Sequence, residues 1–151
     1  MLDFIKNLVG LNGLLAKKIN AQQSYNEGVA LREAGDFVGG YPLILQSAEL
    51  GDKNAMAILG SIYLLGEGTK ENGREAIRWL EKSVELGCED AVSLLGMALV
   101  TGKAGVKRDL ERGRKMLEHA AENGDEQSER MLEAMNKGVG IFRGTKRKSN
   151  R

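Results

Sequence analysis

"NAMAILGSIYLLGEGTKENGREAIRWLEKSVELGCE", residues 54–89, runs directly into "DAVSLLGMALVTGKAGVKRDLERGRKMLEHAAENGDE", residues 90–126. Written one beneath the other, the two stretches agree. Ala55 falls on Ala91, Leu59 on Leu95, Gly60 on Gly96 and Gly66 on Gly102. With one residue inserted in the second loop, Gly68 falls on Gly105, Lys70 on Lys107, Leu80 on Leu117 and Gly87 on Gly124. The units are 36 and 37 residues long. A repeat of this period denotes stacked supersecondary units rather than one closed core. Upstream, "QQSYNEGVALREAGDFVGGYPLILQSAELGDK", residues 22–53, is a shorter copy. Its Gly28 matches Gly60, and its middle loop lacks four residues. Downstream, "QSERMLEAM" from Gln127 begins a partial unit that supplies one helix.

Each full unit reads as two helices. Residues 54–65 place Ala55, Ile58, Leu59, Ile62 and Leu65 at helical spacing, and Gly66 then stops the helix. Residues 73–86 place Ala76, Ile77, Leu80, Ser83 and Val84 on one stripe. Asn72 stands where a cap is needed, with Glu75 three residues on, as in a capping box. Asp109 takes the same position in the next unit, and Gly51, Gly87 and Gly124 end the second helices. Gly28, Gly60 and Gly96 lie inside helices, where glycine costs about 1 kcal/mol against alanine. A cost repeated at one register implies close approach of a neighbouring helix. No pair buries its stripe alone, so stacking into an all-α solenoid is expected.

Composition bounds the rest. The 151 residues are 42% apolar and 28% charged, which suits a soluble chain of folded domain size. The net charge of +1 gives no basic surface for nucleic acid, and none is expected as a partner. All six charged residues after Glu133 are basic, from Lys137 to Arg151, so a mildly acidic body carries a basic tail. Residues 137–151 are expected to be disordered. Cys88 is the one cysteine, which removes intramolecular disulfides and fits a reducing compartment. The apolar N-terminus is a poor export signal, because Asp3 stands where basic residues belong. Cytoplasmic residence is therefore expected. Residues 1–20 carry Phe4, Leu8, Leu11, Leu15 and Ile19 and read as a separate capping or amphipathic helix. Covering the end of the solenoid is preferred over membrane contact.

The pattern "AxxxLGxxYLxGxGxKxNxxxAxxWLxxSxxxGxxxA" resembles the Sel1-like repeat, a relative of the tetratricopeptide repeat. The resemblance spans about residues 22–135. The first unit is closer to a tetratricopeptide repeat, lacking the long loop. The third departs at Gly113, where alanine is usual, and at Met97-Ala98-Leu99, near the usual tyrosine. The resemblance implies a right-handed α-solenoid of about three helix pairs and a final helix over residues 21–136. It implies a protein-binding module whose first helices line a concave face. The ligand-facing register of that family then falls on Tyr25, Val29 and Arg32 in the first unit. It falls on Asn54, Ala57, Ser61 and Leu64 in the second, and on Asp90, Ser93, Met97 and Val100 in the third.

Catalytic readings are weaker. "GEGTKENG", residues 66–73, fits neither phosphate-loop spacing, follows a helix rather than a strand, and recurs once per repeat. His119 is the single histidine and reads as a solvated helix residue beside Glu118 and Glu122. One histidine and one cysteine cannot make an ordinary structural zinc site, so no metal or cofactor is expected. Cys88 aligns with Asp52 and Asp125 and reads as a tolerated surface position. Glu75, Glu81, Glu85, Glu111, Glu118 and Glu122 alternate with Arg74, Arg78, Lys82, Arg114 and Lys115 at ion-pair spacings. Trp79 aligns with Leu43 and Met116, which suits core packing. Some relatives are associated with penicillin binding, but no serine here has lysine three residues on. A hydrolase acting on a β-lactam or peptidoglycan is the least favoured reading. The leading one is a non-enzymatic adaptor or regulator. An immunity-type protein that inhibits a cognate toxin is the alternative.

Overall fold

The computed structural model describes residues 2–138, and side chains from residue 10 onward. Seven α-helices follow one another among these residues. They are α1 (Leu2–Glu33), α2 (Phe37–Glu49), α3 (Lys53–Leu65), α4 (Gly73–Glu85), α5 (Glu89–Thr101), α6 (Leu110–Glu122) and α7 (Glu126–Asn136). A short 3-10 turn, Lys103–Gly105, lies in the α5–α6 loop. The helices pack as the hairpins α1–α2, α3–α4 and α5–α6, with α7 closing the row, and build a right-handed α-solenoid.

Local chemistry sets the boundaries. Asp36, Asp52, Asn72, Asp109 and Asp125 each accept a hydrogen bond from the backbone N–H three residues on. Each such cap stabilises its helix by about 1 kcal/mol. Gly66 and Gly102 end α3 and α5 in the left-handed conformation, at φ 71° and 70°. Glu75 does not complete a capping box: its carboxylate accepts from the Arg78 guanidinium instead.

The glycines inside helices are contact points. A Cβ at Gly60 would lie 2.5 Å from Leu80 Cγ, and one at Gly28 would lie 2.9 Å from Ile44 Cδ1. At Gly96 the nearest atoms, Gly113 O and Leu117 Cγ, would be 3.1 Å away. Ile44, Leu80 and Leu117 are fully buried beneath these glycines, with Leu59, Ile62 and Leu95. Buried serines tie α2 and α4 to the preceding helix of their own pair. Ser47 Oγ donates to Ala21 O at 2.8 Å, and Ser83 Oγ donates to Lys53 O at 2.7 Å. Trp79 is buried, its ring flanked by the Arg78 guanidinium at 4.6 Å and the Lys82 ammonium at 5.0 Å.

Two expectations need correction. Cys88 is not a surface residue; it is only 4% exposed and its Sγ–H points at Asn54 Oδ1, 3.6 Å away. The inter-unit turn is covered by the start of α3, so a small apolar residue fits where its two counterparts are capping aspartates. The helix begun in residues 1–20 does not stop there. α1 runs unbroken through that boundary to Glu33, and residues 10–20 are exposed. Leu11, Leu14, Leu15 and Ile19 retain 50–64% of their surface, so this stretch covers no apolar end of the solenoid. Gly10 and Gly13 are too weak as breakers to interrupt a helix anchored at its other end. The basic tail lies outside the described residues from position 139 on. Among the described residues no helix is long and apolar enough to cross a membrane.

Candidate protein-binding groove

The second half of α1, with α3, α5 and α7, forms the inner row of the solenoid. Two adjoining cavities open on it. One, of about 350 Å³, is lined by Tyr25 and Arg32 from α1, Asn54, Ala57, Ile58 and Ser61 from α3, and Asp90 and Leu94 from α5. The other, of about 260 Å³, shares Ser61 and Leu94 and adds Leu64, Leu65, Met97 and Met131, with Thr101 and Lys103 at its edge. The shared residues make the two hollows one groove with a polar half and an apolar half. Eight of the eleven residues expected from the sequence line it.

The remaining three do not. Val29 is half-buried and packs on the Ile44–Leu59 core. Ser93 is buried, and its hydroxyl donates to Asp90 O at 3.1 Å. Val100 has no exposed surface at all. Its place on the groove wall is a misassignment with a clear cause. Gly113 stands opposite where alanine is usual, and Val100 Cγ2 lies 2.8 Å from where that Cβ would be. The valine fills the space that the missing methyl leaves.

Ile58, Leu94 and Met131 were missed. The signal was present: these three apolar residues occupy one register, four positions after Asn54, Asp90 and Gln127. They give the groove an apolar floor across three successive helices. Met97 and Met131 add flexible, polarisable side chains, which adapt to more than one occupant.

The polar half is rich in donors. Arg32 pairs with Glu67 and so ties α1 to the loop of the next unit. Its Nε is buried and has no acceptor among the described residues. Such a group costs about 1–3 kcal/mol while unpaired. Burial holds the Tyr25 hydroxyl above its usual pKa, and the nearby Asp52, Asp90 and Cys88 push the same way. Tyr25 is therefore a neutral donor or acceptor at physiological pH. The groove suits a segment carrying an apolar anchor next to polar groups.

A larger hollow of about 570 Å³ lies between α4, α5 and α6, beside His119, Glu89 and Arg112. Its charged groups face one another: Arg112 bonds Glu81 at 2.8 Å, and the His119 ring is 3.5 Å from Glu89. His119 is a solvated helix residue, as the sequence suggests. Among the described residues no cluster of His, Cys, Asp and Glu could hold a metal ion.

Capped helix pairs, stacked through glycine contacts around an inner groove, define a helical-repeat protein of the α-solenoid class. A family model described as the Sel1 repeat matches residues 53–88 and again residues 90–125. These two units are Sel1 repeats. Solved structures agree. A Sel1 repeat protein from Oxalobacter formigenes is 26% identical, with a TM-score of 0.65 over 84% of this chain and 54% of its own. A protective antigen of uropathogenic Escherichia coli with an SLR fold gives the same identity, TM-score and coverage, over 27% of its own length. Cysteine-rich protein B of Helicobacter pylori aligns over 77% of this chain and 88% of its own. Its TM-score is 0.59, and at 23% identity it shows the fold alone. The chain thus spans about half, or less, of the first two proteins it matches. A search of curated proteins found no match. Sel1-repeat proteins are in general protein-interaction modules, typically non-catalytic scaffolds.

Proposed function

We propose that this chain is a cytoplasmic, non-enzymatic adaptor or regulator that holds a segment of another protein in the groove between α1, α3, α5 and α7. The observation that carries this reading is the pairing of the two cavities. An apolar pocket at Leu64, Met97 and Met131 adjoins a polar one at Tyr25, Arg32, Asn54 and Asp90 through Ser61 and Leu94. A buried apolar anchor supplies most of the affinity of such contacts, and the polar side chains supply direction. The same groove serves an immunity-type inhibitor equally well, since a toxin segment is one kind of occupant.

The test compares the intact chain with a Tyr25→Ala, Met97→Lys double variant. Both are used to capture proteins from native lysate, and bound proteins are read by mass spectrometry. The partner recovered by the intact chain should fall at least tenfold with the variant, while circular dichroism shows the helices unchanged. A variant that stays folded and retains every partner would sink the groove reading. A toxin domain as sole partner assigns the inhibitor role, and a signalling or assembly component assigns the adaptor role.

A further inference from the structure

We infer that the basic tail of this chain, residues 139–151, docks in cis into the groove, so that a foreign segment has to displace it. The inference rests on the groove of the proposed function and does not depend on any partner. The tail lies outside the described residues, and its sequence is "VGIFRGTKRKSNR". Ile141 and Phe142 come first, and Arg143, Lys146, Arg147, Lys148 and Arg151 follow, with no acidic residue among them. The groove has the same order, read from the end of α7. Its apolar half lies at the C-terminal ends of α3 and α5, with Leu64, Leu65 and Met97, and takes Met131 from α7. Its polar half lies at the N-terminal ends of α3 and α5, with Asn54 and Asp90. A short turn joins α6 to α7, so α7 runs antiparallel to α6 and ends beside the apolar half.

Reach and charge select this occupant. Gly138 follows α7 in the left-handed conformation, at φ 63°, which turns the backbone off the helix axis. Met131 lies seven residues before it, roughly 10 Å back along α7. Phe142 lies four residues beyond it, an extended span of about 14 Å, so Ile141 and Phe142 reach the apolar half. Arg143 to Lys148 then come level with Asp90, which stands one helical turn, roughly 6 Å, before Leu94. Asp90 also borders a further hollow of about 230 Å³ with Glu89 and Asp125. Arg32 is neutralised by Glu67, whereas Asp90 and Asp125 are in no ion pair among the described residues. Lys103, the cation at the edge of the apolar half, stands where the uncharged stretch 139–142 passes. The other route for the tail is the outer side of α7, where a second helix follows in the complete repeats. There α6 places the Arg114 guanidinium 2.6 Å from Asn136 Oδ1, and like charge disfavours a basic segment.

Two measurements on the full chain test the docking. Methyl NMR follows the methionines. Ile141→Ser, Phe142→Ser should shift the Met97 and Met131 signals and leave that of the buried Met56 in place. Lys146→Glu, Arg147→Glu, Lys148→Glu should move the same two signals in the same direction. All five positions lie beyond α7, so the thermal melt should show the solenoid still folded. Trypsin probes the tail itself. Cleavage after Arg143 should be at least tenfold faster in Tyr25→Ala, Met97→Lys than in the parent. Unchanged methionine signals, or equal cleavage rates in a folded groove variant, overturn the inference. Signals that depend on concentration between 20 and 500 µM overturn it in favour of the tail of a second copy. A shift at Met135 without one at Met97 overturns it in favour of the outer side of α7. None of these outcomes reads partner capture, so a tail that stays out of the groove leaves the proposed function standing.

Discussion

The two central repeats, 36 and 37 residues long, share a set of glycines, yet they use them differently. In the first, the loop glycine Gly68 is pressed against the start of α2: a Cβ there would lie 2.1 Å from Phe37 O. In the second, its counterpart Gly105 has nothing within 4 Å, although both have positive φ, 72° and 78°. Close approach to the preceding helix pair passes instead to Gly73, whose added Cβ would meet Ala104 O at 2.5 Å. The helix glycines differ in the same sense, with Gly60 tight on Leu80 and Gly96 looser on Leu117 and Gly113. Tyr63 in the first repeat corresponds to Leu99 in the second. Tyr63 shares a 3.0 Å hydrogen bond with the Tyr41 hydroxyl of the preceding unit, whereas Leu99 only packs. A repeated motif therefore records a shared architecture, while the reason for each residue has to be found copy by copy.

That contrast can be broken in order of effect. Gly68→Ala combines left-handed strain with a backbone overlap and should destabilise by roughly 3 kcal/mol, while Gly105→Ala should cost only about 1 kcal/mol of strain. Thermal melts of the two variants would show it, at about 2–4 °C per kcal/mol for a chain of this size. Equal shifts would mean that the Phe37 contact yields. Next, Gly60→Ala should lose roughly 2 kcal/mol by overpacking. Gly96→Ala should stay within about 1 kcal/mol of the parent, since a small neighbour shift is offset by better helix propensity. Urea titration distinguishes them, and a larger loss at Gly96 would reverse the reading.

The smallest effect concerns Tyr63. Burial, and then the hydrogen bond with Tyr41, raise its pKa in the folded chain above the ordinary tyrosine value of 10.0. A raised folded pKa means that its contribution is complete below pH 10 and is lost as pH climbs beyond it. Tyr63→Phe should cost about 1 kcal/mol at neutral pH and make the alkaline decline shallower. An unchanged alkaline profile in the variant would rule out this linkage.

Much of the fold was legible because glycine and cap positions act locally. Asn72, Asp109 and Gly66 mark helix ends wherever the chain is read. The central helix boundaries expected from them agree with the structure to within one residue. The groove was less legible. The expected register fell on helices that line the hollows, but which side chains reach the surface depends on the partner across the pair. Leu64 reaches the groove and Val100 does not, since Gly113 leaves room for Val100 beneath. Cys88 misled for a related reason: its aligned aspartates are caps, and only the fold shows that α3 covers the cysteine. The boundary at residue 20 was invisible because no strong breaker marks it; the chain simply continues as helix.

That continuity has a mechanical side. The helix that presents Arg32 to the groove also presents Leu11, 21 residues away and roughly 32 Å along one rod. An occupant that tips α1 by about 5° at the groove would swing Leu11 through roughly 3 Å. The groove and the far end of α1 are thus two ends of one lever, and a change of angle at either is a displacement at the other.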